Sequence, residues 1–282
     1  VFWSELYPDE FEARRRARPV VYFPMGLCEP HGRAAALGLD LLKAEQYCAR
    51  AAARYGGIVA PSQGYHVHEC GYHARWLEDV VGDIDAQLSC VAPAPLLYMF
   101  LYQLRAFNNA GFKLALVLTG HAGGNEHDLR LAAECFMRRS ALRVIVSTDA
   151  ELVAGRFDGD HAGKFELSQL MALRPELVDL TRLERDPYGL RRFALGDDHA
   201  QASLELGQQI NEAIVEQLGR AVERAQAALQ AATPLPRIDY ALVEAAWTEL
   251  QSLRAAWRSA RPNAGQAPVS DGSRWKATEH VP

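Results

Sequence analysis

Two stretches of this sequence carry metal-ligating side chains just beyond apolar, strand-like runs. The first is Phe23-Pro24-Met25-Gly26-Leu27-Cys28-Glu29-Pro30-His31-Gly32, with Asp40 following. The second is Leu118-Thr119-Gly120-His121-Ala122-Gly123-Gly124-Asn125. Each sends carboxylates or imidazoles into a glycine-bearing turn, where the backbone can come close to a metal or a substrate. Taken singly, Glu29 or Asp40 reads as a surface carboxylate and His121 as a cap on the following helix. Together they are imidazoles plus carboxylates without thiolates, the donor set that suits zinc or manganese. A glycine-rich turn can also cradle phosphate, but this one has neither GxGxxG nor the Gly-Lys-Ser/Thr of a P-loop.

Such ligands converge when they leave the carboxyl ends of parallel strands. Strand-like and helix-like segments alternate here, which predicts an α/β fold with a mostly parallel sheet flanked by helices. Strands are expected at 19–23, 57–60, 113–118 and 143–147. Helices are expected at 41–55, 94–109, 125–139 and 165–173, then over one long stretch at 199–232 and again at 240–259. Thr233-Pro234-Leu235-Pro236 breaks the last two apart, so 1–232 reads as the catalytic domain and 233–282 as a helical extension. Pro, Gly and Ser are frequent from Arg261 onward, as in a poorly ordered or partner-draped tail. Trp247 and Trp257 read as anchors into the core or a neighbouring subunit. Arg14-Arg15-Arg16 with Arg18 reads as a solvated helix end, or else as a subunit contact.

The chain has 282 residues, enough for one large α/β domain or two small ones. Its net charge of -5 argues against binding nucleic acid through bulk electrostatics. The longest apolar stretch, Cys90 to Tyr102, is broken by two prolines and is shorter than the ~20 residues that span a bilayer. Val1-Phe2-Trp3-Ser4-Glu5 has no basic region before an apolar run, so no export signal is visible; nor does the sequence start on Met. Five cysteines, with no CxxC pair, read as packed thiols in a reducing, cytoplasmic compartment.

Glu29-Pro30-His31-Gly32, with Asp40 nine positions after His31, resembles the opening signature of the creatininase (creatinine amidohydrolase) family. Thr119-Gly120-His121 followed by Gly123-Gly124-Asn125 is similar to its second motif, Asn-Gly-His-Gly-Gly-Asn. His161-Ala162-Gly163 through Glu166-Leu167-Ser168, then Arg174-Pro175, is similar to its third. Order and spacing agree from about Pro19 to Leu180, and 202–219 resembles the closing helix. There are differences. The family's Phe-Pro-Gly-Thr loop is missing, with Trp76-Leu77-Glu78-Asp79 near its place. Arg33 to Leu39 differs between the first His and Asp, Thr119 stands for Asn, Ala122 is extra, and Leu167 stands for Thr.

The resemblance implies a three-layer sandwich, a homo-oligomer of six chains, and two divalent ions (zinc, manganese or both) per subunit with a bridging carboxylate. By position Asp40 is the bridge, Glu29 and His121 are ligands of one ion, and His31 is a ligand of the other. Where some members have a Glu two positions after the second-motif His, this chain has Gly123, so Glu166 of the third motif is the implied remaining ligand. Glu29, Asp40 and Glu166 bring three negative charges against four from two ions, and a bridging hydroxide makes the core neutral. That hydroxide is expected to attack a carbonyl while His161 protonates the leaving group and Asp158 orients His161 or touches substrate.

The segment Tyr65 to Trp76 is dense in polar and aromatic groups. His66 and His68 would share a face on a strand as a further metal pair. Alternatively, Tyr65, His66, His68 and Trp76 line the site for a small-molecule substrate. The leading expectation is hydrolysis of a C–N bond in a small cyclic or formyl amide. Many donors in one loop also suit a cyclic polyhydroxy ketone, such as an inosose, opened by C–C cleavage. A catalytically silent metal-binding scaffold is the non-enzymatic alternative.

Overall fold

A computed structural model describes residues 1–81, 87–185, 195–230 and 235–276. In chain order the elements are α1 (Pro8–Ala17), β1 (Val20–Met25), α2 (Leu39–Tyr55), β2 (Ile58–Val59), α3 (Tyr72–Val80), α4 (Pro93–Asn109), β3 (Leu114–Thr119), α5 (Asn125–Met137) and β4 (Arg143–Thr148). There follow α6 (Asp149–Leu152), α7 (Lys164–Leu173), α8 (Leu204–Arg224), α9 (Gln226–Gln230) and α10 (Tyr240–Ser252). The four strands form one parallel sheet in the order β2-β1-β3-β4. As the sequence predicts, this is an α/β fold with helices on both faces.

Both faces are buried, which is why the strands read as continuous apolar runs without alternation. Val21, Phe23 and Met25 of β1, with Ala115 and Val117 of β3, face α4, α5 and α10. Val20 and Tyr22, with Leu114, Leu116 and Leu118, face α2 and α8. Register sets the working edge: Met25 pairs with Thr119, and Thr119 with Thr148, so β1, β3 and β4 end level with one another. Whatever each strand delivers next in sequence therefore arrives at the same edge.

Several expectations change: α3 begins at Tyr72 inside the stretch read as a loop, and α10 ends at Ser252, short of the forecast 259. The long helix forecast at 199–232 is divided. A short 3-10 turn spans His199–Gln201, and α8 begins afresh where the Ser203 side chain accepts a hydrogen bond from the Leu206 N–H. A serine oxygen satisfying a free first-turn N–H is a strong start signal, and apolar periodicity alone cannot see it. Residues 231–234, where the helix was forecast to end, lie outside the described residues.

The tail is not loose where it is described. The Asp128 carboxylate accepts hydrogen bonds from the backbone N–H groups of Arg258 (2.7 Å) and Ser259 (2.9 Å). The Gln266 side chain donates to the Tyr72 carbonyl, the Ser270 N–H donates to Glu78, and Trp275 is buried against Ala74, Leu77 and Val81. The extension is thus draped over its own chain and braces α3. Trp257 is buried in the core and Trp247 packs against it, as anchors should.

Candidate metal centre

Two strand ends and two helices build the site. The loop after β1 carries Glu29 and His31, and the first turn of α2 carries Asp40. The turn after β3 carries His121, and α7 carries Glu166; all five side chains are buried. The approach of these elements depends on glycine at the end of β3. A Cβ on Gly120 would lie 2.1 Å from the Asp40 carbonyl oxygen, so no larger residue lets that turn reach α2.

Glu29, Asp40 and His121 each place one ligand atom within 4.8 Å of the other two, and so do His31, Asp40 and Glu166. Asp40 belongs to both sets. Its Oδ1 is 3.3 Å from His31 Nε2 and its Oδ2 is 3.3 Å from His121 Nδ1. Glu29 Oε1 lies 2.8 Å from His121 Nδ1, and Glu166 Oε2 lies 3.2 Å from His31 Nε2. His31 Nδ1 donates to the Glu29 carbonyl at 3.1 Å, which turns Nε2 toward Asp40 and Glu166.

These atoms fit a divalent ion. Both Asp40 oxygens and His31 Nε2 are buried without a hydrogen-bond partner, an expensive arrangement unless something else coordinates them. The electrostatics agree. Burial alone would raise the Glu29 carboxyl, but His121, His68 and His161 hold it well below the carboxylate range. Burial would lower His31 and His121. Asp40 and Glu166 instead hold His31 well above the usual value, and Glu29 and Asp40 lift His121 to about 10. A field that favours a proton there also favours a metal ion competing for the same lone pairs.

Two charged residues near the centre escape sequence reasoning. Lys43, fully buried, contacts Glu166 Oε1 at 2.6 Å, Asp149 Oδ2 at 3.2 Å and Asp40 Oδ1 at 3.7 Å. Burial opposes its charge, yet Asp149, Glu166 and Asp40 keep its pKa well above the ordinary lysine value. The signal was present: Lys43 falls on the same buried stripe of α2 as Leu39, Tyr47 and Ala51. Asp149 directly follows β4, so the strand-end rule that finds Glu29 and His121 reaches it too.

A cavity of about 610 Å³ opens onto the centre, lined in part by Glu29, His68, His73, Trp76, His121, His161 and Glu166. His161 stacks on His31 with ring centroids 4.7 Å apart, meets the edge of Trp76, and donates from Nε2 to the Pro30 carbonyl at 3.2 Å. Its Nδ1 stands 4.0 Å from Glu166 Oε2.

Asp158, Tyr65 and His66 are not brought to this cavity. Asp158 is exposed, and Asp160 lines the wall instead, its carboxylate accepting from the N–H groups of Gly163 and Phe165 at the start of α7. Tyr65 is 58% exposed. His66 is fully buried behind the wall, its Nδ1 accepting from the Val67 N–H and its Nε2 facing the Thr119 hydroxyl. Burial and the nearby His121 push its pKa well down. No strand forms at 66–68, so His66 and His68 do not share a face; of the two, His68 lines the cavity, its Nε2 2.8 Å from Glu29 Oε2.

Comparison with known proteins bears on the whole arrangement. The family model described as creatinine amidohydrolase matches residues 4–222. A creatinine amidohydrolase of Pseudomonas putida is 32% identical over 203 residues, covering 66% of this chain and 77% of that protein. A solved creatininase superposes with a TM-score of 0.64 at 26% identity, over 79% of this chain and 97% of that one. A manganese form of creatininase gives 0.64 at 25%, covering 79% and 98%, and a zinc–zinc form of a variant gives 0.62 at 25%, covering 79% and 97%. With its three motifs, its parallel sheet and this matching model, the chain belongs to the creatininase family of metal-dependent amidohydrolases.

Proposed function

We propose that this chain hydrolyses the C–N bond of a small cyclic or formyl amide at a two-cation centre. Glu29, Asp40 and His121 would hold one divalent ion, zinc or manganese, and His31, Asp40 and Glu166 the other. The observation that carries this reading is Asp40, whose two unpartnered, buried oxygens face two different imidazoles. Ions bound there would activate water near neutral pH and polarise a carbonyl.

The chain's own groups account for the remaining work. His161 has its Nε2 proton committed to Pro30, so the proton that can move is the one on Nδ1, and its ring faces the cavity. It serves as general acid toward the departing nitrogen. Trp76 braces that ring. Asp160 holds the first turn of α7 and with it Glu166, whose Oε2 also accepts from the Ala162 N–H at 2.9 Å. Lys43 and Asp149 form an internal pair of opposite charges, so the balance of three carboxylates against two ions is unaltered.

The cavity wall refines the substrate class. Asp79, Asp160 and Asp197 line it besides Glu29 and Glu166, and none of the described lining residues is Lys or Arg. Such a wall repels phosphorylated or carboxylated compounds and accepts neutral or cationic ones bearing hydrogen-bond donors. The same acceptor-rich wall favours a second reading, ring opening of a cyclic polyhydroxy ketone. Assaying purified, metal-loaded protein on cyclic and formyl amides beside inosose-type ketones separates them. Turnover of amides is the expected result; turnover of ketones alone would transfer the conclusion to the second reading, and turnover of neither would favour a silent scaffold. Assembly into six chains belongs to the same proposal, and light scattering should give six times the 31.2 kDa chain mass.

A further inference from the structure

Beside the carboxylate-rich pair lies a donor set that the reading above leaves mostly unused. His68, His73 and His121 each offer a ring nitrogen within 4.8 Å of the other two. The rings of His68 and His73 stack at 4.3 Å, and that of His121 lies 5.3 and 5.4 Å from them. All three side chains are at least nine-tenths buried and line the cavity. Each keeps a buried nitrogen without a hydrogen-bond partner: His68 Nδ1, His73 Nδ1 and His121 Nε2. Meanwhile the other nitrogens of His68 and His121 face Glu29, so the two sides of these rings address different surroundings.

The turn after β3 makes room for this cluster. Gly123 has φ +146°, and a Cβ there would lie 2.2 Å from His73 Cε1 and 2.7 Å from its Nε2. A side chain at 123 and the ring of His73 exclude one another. The chain has taken the ring, and the tail that braces α3 holds it in place.

We propose that His68, His73 and His121 form a third cation position that takes zinc in preference to manganese. Three imidazoles with an open fourth place make a familiar zinc geometry, whereas manganese favours oxygen donors. Asp79, Asp160 and Asp197 on the same wall offset the added charge. The position rests on the two-cation reading only through the ring of His121, which would release its ring proton to solvent and, as an imidazolate, offer Nδ1 to the pair and Nε2 to the third ion.

The test counts metals in the full-length protein after chelator stripping, equilibration with zinc or manganese, and gel filtration. Zinc should exceed manganese by one ion per chain. His73→Phe should remove that surplus zinc and leave the manganese count unchanged, and His68→Gln should do the same should the Phe variant fold poorly. Cobalt(II) titration should show a visible band from a four-coordinate ion that is absent in His73→Phe. Equal zinc and manganese counts in the unmodified protein overturn the proposal, as does a surplus zinc that survives both substitutions. Asp40→Asn separates the two readings: an unchanged manganese count there contradicts the two-cation pair, while the zinc surplus still decides the third position.

Discussion

His161 carries the most specific claim at the scale of single residues. It lines the cavity, 4.0 Å from Glu166 Oε2, and belongs to neither ligand set of the proposed pair, so its removal should spare metal binding and impair proton delivery. His161→Gln is expected to lower kcat by about 10²–10⁴-fold with the metal count unchanged, as kinetics and metal analysis of one preparation would reveal. Lys43 makes the opposite case. Its ammonium lies among Glu166, Asp149 and Asp40, and Lys43→Met leaves these carboxylates without their internal cation. Denaturant unfolding should register a loss of about 3–5 kcal/mol, and Lys43→Met with Asp149→Leu should recover part of it. The difference in legibility between these residues has a physical cause. Glu29, His31, Asp40, His121 and Glu166 stand at fixed spacings within short motifs, so their types and order are visible in one dimension. Lys43 acquires its meaning only when α2, β4 and α7 meet. His66 and His68 are two residues apart and look alike in sequence, yet Thr119 engages one and Glu29 the other.

Secondary-structure elements set how closely these groups approach. The turn after β3 and the first turn of α2 touch where Gly120 meets the Asp40 carbonyl. Gly120→Ala should push Asp40 away and lower metal retention at least tenfold while far-UV circular dichroism keeps its helical signal, a combination that chelator competition would detect. A variant retaining full metal affinity would show that this contact does not position Asp40. The strands and most helices were legible because their apolar periods differ and because burial on both faces leaves unbroken apolar runs. The start of α8 was not legible: apolar periodicity continues across the 3-10 turn, and only the Ser203 cap marks the break. Docking of the tail was equally hidden. Its Pro, Gly and Ser content describes a segment without helix or strand, which says nothing about Trp275 finding a slot on α3.

For the whole molecule, the sheet sets one edge as the working edge, and the C-terminal extension closes over one side of it. Removing residues 261–282 should loosen α3, which carries His73 and Trp76, and raise KM more than it lowers kcat. Equal effects on both would place the tail outside the substrate site. The central claim is that hydrolysis requires two divalent ions held through Asp40. It is tested most directly by stripping the full-length protein and titrating manganese while following amide hydrolysis and bound metal together. Activity should be absent without metal, rise with loading and level off at two ions per chain, and Asp40→Asn should neither bind the pair nor gain activity. Hydrolysis in the stripped protein, or a plateau at a single ion with full activity, would contradict the account.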